Sequence, residues 1–141
     1  MQTAQLDKQQ LMQNAQQNMQ QFIQDSNYTD RQKLALTCRI LFDHGHDAGL
    51  AGQITCRTTQ GNSFITQRFG LGFDEITAQN LLEVDEDLKP LDQQGMANPA
   101  NRFHTWIYKQ HPEVNCIIHT HPTHIAALSM LRVPLAIAQM D

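Results

Sequence analysis

Cysteine is scarce in this chain: Cys38, Cys56 and Cys116 are the only three, an odd number spread far apart. That excludes a disulfide framework and leaves no C-x-x-C zinc pair. Each lies in an apolar pattern, which predicts buried free thiols in a reducing compartment. Positive charge is short as well, ten Lys and Arg against fourteen Asp and Glu for a net charge of −4. With no basic cluster, neither nucleic acid nor an acidic membrane surface is expected as a partner. There is no apolar run of membrane-spanning length, and the N-terminus has no apolar signal core. A cytoplasmic protein is therefore expected. No repeat is visible, and no internal linker divides the chain.

What is there fits one globular domain preceded by an arm. Hydrophobic residues make up 40 % of the chain, close to globular usage. The first 24 residues hold ten glutamines. Leu11, Ala15, Met19 and Ile23 recur every four residues, so residues 1–28 read as a Gln-rich arm, helical or disordered. A helical arm would pack on a neighbouring subunit.

From residue 29 onward the elements alternate. Thr29 or Asp30 caps a helix to about Asp43, with Leu34, Cys38 and Leu41 inward. Gly45, Gly49 and Gly52 break the chain into a loop, where His44 and His46 suit the helix C-terminal dipole. Ile54 and Cys56 alternate with Thr55 and Arg57 as a half-buried strand, and Gln60-Gly61-Asn62 turns it into a second strand, Ser63–Thr66. A loop, Arg68–Asp74, and a short helix capped by Thr77 follow. Leu82–Val84 and Leu88–Leu91 read as strands. Asn98-Pro99 starts a helix that buries Phe103, Trp106 and Ile107 and ends before Pro112. Val114–His121 is a strand, Ile125–Leu131 a helix, and Pro134–Gln139 the start of another strand. Arg57 and Arg68 read as solvated strand-end residues, and His111 as exposed.

The chemistry concentrates at His119-Thr120-His121. In an extended strand the two imidazoles share a face, with Cα atoms roughly 6.5–7 Å apart. Neutral imidazole is the commonest metal ligand, and two at that separation can converge on one divalent cation. Pro122 ends the strand there, and strand ends are where α/β folds place ligands. His104 and His124 are candidates for the walls of such a site. A metallohydrolase of the H-x-H-x-D-H type is a further reading, but Thr123 stands where that site needs its carboxylate.

These residues carry a resemblance. Phe103-His104-Thr105-Trp106-Ile107-Tyr108 followed by His111-Pro112-Glu113-Val114 and Cys116-Ile117-Ile118-His119-Thr120-His121 resembles the class II aldolase/adducin family. So do Ala51-Gly52-Gln53-Ile54-Thr55-Cys56-Arg57, Phe64-Ile65-Thr66, and Glu75-Ile76-Thr77-Ala78 through Val84-Asp85. The resemblance runs from about Asp30 to Asp141. It implies a three-layer α/β/α sandwich around a mainly antiparallel sheet, with residues 29–141 as its N-terminal portion and further elements beyond Asp141. It implies a homo-oligomer, often a tetramer, and a divalent metal, zinc first, held by His119, His121 and a later histidine. Gly52, Gln53 and Thr66 fall where the family binds its small-molecule substrate.

Three departures qualify it. The third histidine would lie beyond Asp141, so this chain is expected to be inactive by itself. The aldolases place a Glu four residues before the helix histidine, and Ala100 stands there, leaving the catalytic acid unassigned. Asn98-Pro99-Ala100 and Phe69-Gly70-Leu71 resemble the adducin-like branch, and Gln53 replaces an asparagine. The expected activity is a metal-dependent lyase that cleaves a small hydroxy-carbonyl compound, such as a sugar derivative, through a metal-stabilised enediolate. The alternative is a non-catalytic, adducin-like assembly module with a cytoskeletal partner.

Overall fold

The computed structural model describes residues 8–20 and 27–134. Helix α1 spans Lys8–Gln20 and presents Leu11 and Met19 to solvent; Ile23, and nearly all of the strand expected at Pro134–Gln139, lie outside the described residues. Helix α2, Asp30–Asp43, starts at a reciprocal cap: Gln32 N–H donates to Thr29 Oγ1, and Thr29 N–H donates to Gln32 Oε1. A cap of this kind contributes about 1 kcal/mol. Leu34 and Cys38, one turn apart, are its buried residues.

Among the described residues four strands form one antiparallel sheet: β1 (Gln53–Arg57), β2 (Phe64–Thr66), β3 (Leu82–Val84) and β4 (Cys116–His119), in the order β3-β2-β1-β4. Alternation along the strands gives each face its own core. Ile54 and Ile65 meet Leu34 and Cys38 of α2, together with Phe73, Ile76 and Leu81. On the opposite face Phe64, Leu82 and Val84 meet Ala97 and Tyr108. Tyr108 belongs to α3, Arg102–Gln110, and stacks on Phe64 with ring centroids 4.6 Å apart. The expected α/β/α sandwich is thus present, with α2 and α3 as its outer layers.

Several local expectations need correction. Helix α3 turns His104, Thr105 and Tyr108 inward, while Trp106 is 62 % exposed and Ile107 lies at the surface. The inward stripe 101-104-105-108 has perfect helical spacing but is mostly polar, so hydrophobicity alone selected the wrong face. Thr77 does cap, exchanging hydrogen bonds with Asn80, but over a single turn; the short helix lies before it, a 3-10 turn at Phe73–Glu75. Leu88–Leu91 forms no strand, because Leu88 takes a positive φ of 65° and only Pro90 bridges to Val84. The last strand is shorter than Val114–His121 and stops at His119. Of the thiols only Cys38 is fully buried; Cys56 is half-buried and Cys116 exposed, since β4 is the outermost strand among the described residues. Arg57 is not a solvated end: it donates to the carbonyls of Val114, Gly61 and Tyr108, and its guanidinium lies 4.7 Å from the Tyr108 ring centre. Helix α4, Thr123–Met130, follows the expected position and buries none of its residues.

Candidate metal-binding site

Strand β4 delivers His119 as its last residue, directly across the ladder from the buried Gln53 of β1. The chain then leaves the sheet, Pro122 opens α4, and His121 folds back on its neighbour. The two Nε2 atoms lie 2.9 Å apart, with ring centroids 4.6 Å apart and planes at 71°. Two imidazoles bound to one tetrahedral zinc at about 2.0–2.1 Å would hold their nitrogens roughly 3.3 Å apart. Opening the rings by a few tenths of an ångström therefore suffices. Desolvation, followed by the neighbouring His121, lowers the His119 pKa, which favours the neutral form a metal requires. The pair fits half of a tetrahedral set: among the described residues no group of three His, Cys, Asp or Glu is placed to complete it.

Three neighbours fix this corner. Phe103 of α3 meets the His119 ring edge to face, centroids 5.4 Å apart at 69°. His46, in the loop after α2, places Nδ1 3.2 Å from Thr120 Oγ1. Gly52 takes a φ of +98°, and a Cβ there would come 3.2 Å from the His119 carbonyl oxygen and 3.2 Å from Phe73 Cζ. No other residue type suits both the angle and the approach.

Beneath the pair runs a buried polar layer. Tyr108 donates its hydroxyl hydrogen to the Thr55 carbonyl at 3.0 Å, and the Thr55 hydroxyl lies 2.9 Å from both Tyr108 Oη and His104 Nδ1. With the phenolic hydrogen committed, Thr55 donates to Tyr108, and His104 donates from Nδ1 to Thr55. This assignment leaves His104 Nε2 as an acceptor instead of an orphaned donor. Burial, and secondarily the nearby His119, lower the His104 pKa to about 4. Asn101 Nδ2 donates to Thr66 Oγ1, which donates to the Ile54 carbonyl. His104 Nε2 and Asn101 Oδ1 have no partner among the described residues and are fully buried. Gln67 spans a gap in the ladder, accepting from Ile54 N–H and donating to the Gly52 carbonyl.

The structure thus gathers Gly52, Gln53, His119 and His121 at one corner. It sets Thr66 and His104 in the sealed layer behind, both with zero exposed area, and leaves His124 exposed in the first turn of α4. His111 is exposed and pairs with Glu113. Ala100 is exposed in the 3-10 turn Pro99–Asn101 that leads into α3. Sequence reasoning gave His46 only a helix-end role; a histidine in a glycine-rich loop carries no signal that it will reach a segment 74 residues away.

The α/β/α sandwich is the arrangement the sequence resemblance implied, and comparison with known proteins places the chain. Residues 32–141 match the family described as Class II Aldolase and Adducin N-terminal domain, and the chain belongs to it. Adducin-related protein 1 of Caenorhabditis elegans is 36 % identical over 110 residues, 74 % of this chain and 15 % of the relative. L-fuculose phosphate aldolase of Haemophilus influenzae is 28 % identical over 104 residues, 74 % of this chain and 47 % of the enzyme. Among solved structures, L-fuculose 1-phosphate aldolase from Glaciozyma antarctica PI12 superposes with a TM-score of 0.70 at 26 % identity, covering 82 % of this chain and 52 % of that one. The chain therefore spans about half the length, or less, of these relatives. No described helix is long and apolar enough to cross a membrane.

Proposed function

We propose that this chain contributes the metal-holding half of an aldolase-type lyase acting on a small hydroxy-carbonyl compound. The observation that carries the reading is the convergence of His119 and His121, Nε2 to Nε2 at 2.9 Å, on an exposed sheet corner. These two residues would hold a divalent cation, zinc first, with at least one further donor. Such an ion supplies Lewis-acid polarisation of adjacent carbonyl and hydroxyl oxygens and stabilises negative charge as a C–C bond breaks. Gly52 lets the loop backbone approach this corner, and the buried Gln53 sits across the ladder behind His119. His104 and Thr66, being sealed, support the site from beneath without touching substrate.

Ala100 favours a second reading. The position from which the aldolases supply their acid carries a methyl group, and the proton transfer that C–C cleavage requires has no assigned donor. A non-catalytic, adducin-like binding or assembly module follows if no other group supplies it. Zinc titration of the chain extended past Asp141 to supply a third donor, followed by a panel of hydroxy-carbonyl substrates with and without a phosphate, separates the readings. Turnover above background that disappears in His119→Ala supports the lyase. Metal binding without turnover on any substrate supports the module, and undiminished metal retention by the His119→Ala/His121→Ala double variant overturns the site.

A further inference from the structure

Away from the histidine corner, the α2-side face of the sheet brings two thiols together across a ladder. Cys56 of β1 and Cys116 of β4 are direct partners in the antiparallel register. Arg57 N–H donates to the Asn115 carbonyl at 2.8 Å, so residues 57 and 115 form the hydrogen-bonded pair and the neighbouring 56 and 116 the non-bonded one. Non-bonded pairs have Cα atoms roughly 4.5 Å apart, inside the roughly 4.4–6.8 Å range that a disulfide spans. Both side chains line one open cleft of about 190 Å³, with Asp30, Lys33 and Leu34 of α2 on its other wall. The third thiol, Cys38, is fully buried in the core.

We propose that Cys56 and Cys116 form a reversible cross-strand disulfide when the chain meets a low-molecular-weight disulfide such as oxidised glutathione. Cys116, exposed on the sheet edge, is the entry point. Its thiolate attacks one glutathione sulfur, the S–S bond breaks, and one glutathione thiolate leaves with the electron pair. The Cys56 thiolate then attacks the Cys116 sulfur of the mixed disulfide and expels the second glutathione. The protein loses two protons and two electrons, and two glutathione thiols gain them. The bridge would end at the exposed Cys116, and exposed disulfides are among the labile ones. The bond would tie the edge strand to β1 just before His119, so the oxidation state would reach the end of β4.

The rate has its own signature. Burial pushes the Cys56 thiol up to about 11, Cys116 and Asp30 raising it further and Lys33 lowering it; burial also raises Cys116. The thiolate is the attacking species, so bridge formation should be slow at neutral pH and rise about tenfold per pH unit.

The test is incubation of the native chain with oxidised glutathione in mildly alkaline buffer, followed by non-reducing peptide mapping and intact mass. The expected product has lost two hydrogens, joins the Cys56 and Cys116 peptides, leaves Cys38 free, and reverts fully with dithiothreitol. In Cys56→Ser the same treatment should leave a glutathione adduct on Cys116, and in Cys116→Ser no disulfide should form. A persistent glutathione adduct on native Cys116, a Cys38–Cys56 bond, a dimer joined through Cys116, or no reaction would each overturn the proposal. The Cys116→Ser variant, at an exposed position, keeps the comparison valid if Cys56→Ser fails to fold.

Discussion

His46 Nδ1 stands 3.2 Å from the hydroxyl of Thr120, the residue between the two candidate metal ligands. The contact joins the loop after α2 to the turn that follows β4. Because His46 acts on Thr120 and touches neither imidazole's Nε2, its effect should be on the placement of the pair. Replacing His46 by Ala should weaken cobalt or zinc binding about tenfold, the low end for residues that orient ligands. Thermal stability should change little. A Co(II) titration read in the visible region checks this; unchanged affinity would mean that the turn holds itself.

Gly52 offers a sharper test of the corner. Ala at this position must adopt a φ of +98° and bring its methyl to 3.2 Å from the His119 carbonyl oxygen and Phe73. Strain of this kind costs of order 1–3 kcal/mol, and the clash falls on His119 itself. Gly52→Ala should lower the urea midpoint and weaken metal binding together. Gly61, also at positive φ but with nothing within 4 Å of its missing Cβ, should show only a stability loss when replaced by Ala.

How far the sequence reveals this site depends on what kind of signal each residue carries. The strand Ile54–Arg57, the cap at Thr29, the Asn98-Pro99 start and the H-x-H doublet all rest on local rules, and the corresponding elements lie within a few residues of expectation. Helix α3 misled because its inner face is polar: Asn101, His104 and Thr105 are buried through hydrogen bonds and packing that a hydrophobicity count does not see. Arg57 misled for the same reason, since a cation at a strand end is ordinarily solvated, and here three carbonyls and two rings receive it. The His46–Thr120 contact and the Cys56–Cys116 register depend on tertiary placement alone. The resemblance to the class II aldolase/adducin family supplied what periodicity could not, the three-layer arrangement around a mainly antiparallel sheet.

The sealed His104 should make folding pH-dependent. Its pKa falls from an ordinary 6.5 to about 4 in the fold, with burial the main cause. The native state therefore favours the neutral ring, and the stabilisation is fully present above about pH 6.5. As pH falls below that, the unfolded chain takes up a proton that the native chain refuses, and stability declines until about pH 4. The total is of order 3 kcal/mol for this zero-exposure residue. The lowered His119 pKa acts in the same direction, so both variants are needed. Urea unfolding between pH 7 and about pH 4 should show the decline in the native chain and in His119→Gln, and a flatter profile in His104→Gln. A native chain equally stable at both ends would show that His104 is not held neutral.

Ala100 decides between lyase and module. It lies in the exposed turn that opens α3, one helical turn before His104. A carboxylate is electrostatically welcome near a helix N-terminus, so Ala100→Glu should fold. If the chain holds its metal and binds a hydroxy-carbonyl substrate but lacks only the proton-transfer group, Ala100→Glu should raise C–C cleavage. The expected gain is about 10²-fold, the low end of general acid–base contributions. The gain should vanish in Ala100→Glu/His119→Ala, because the acid is useful only where the substrate is polarised. Measuring aldol cleavage in the native sequence and both variants, each extended past Asp141 to supply a third metal donor and loaded with zinc, gives three distinguishable results. Activity already at enzymatic rates in the native chain would show that another residue carries the proton. No gain in Ala100→Glu despite bound metal would favour the assembly module, in which the corner is retained for shape and the chemistry has been lost with the acid.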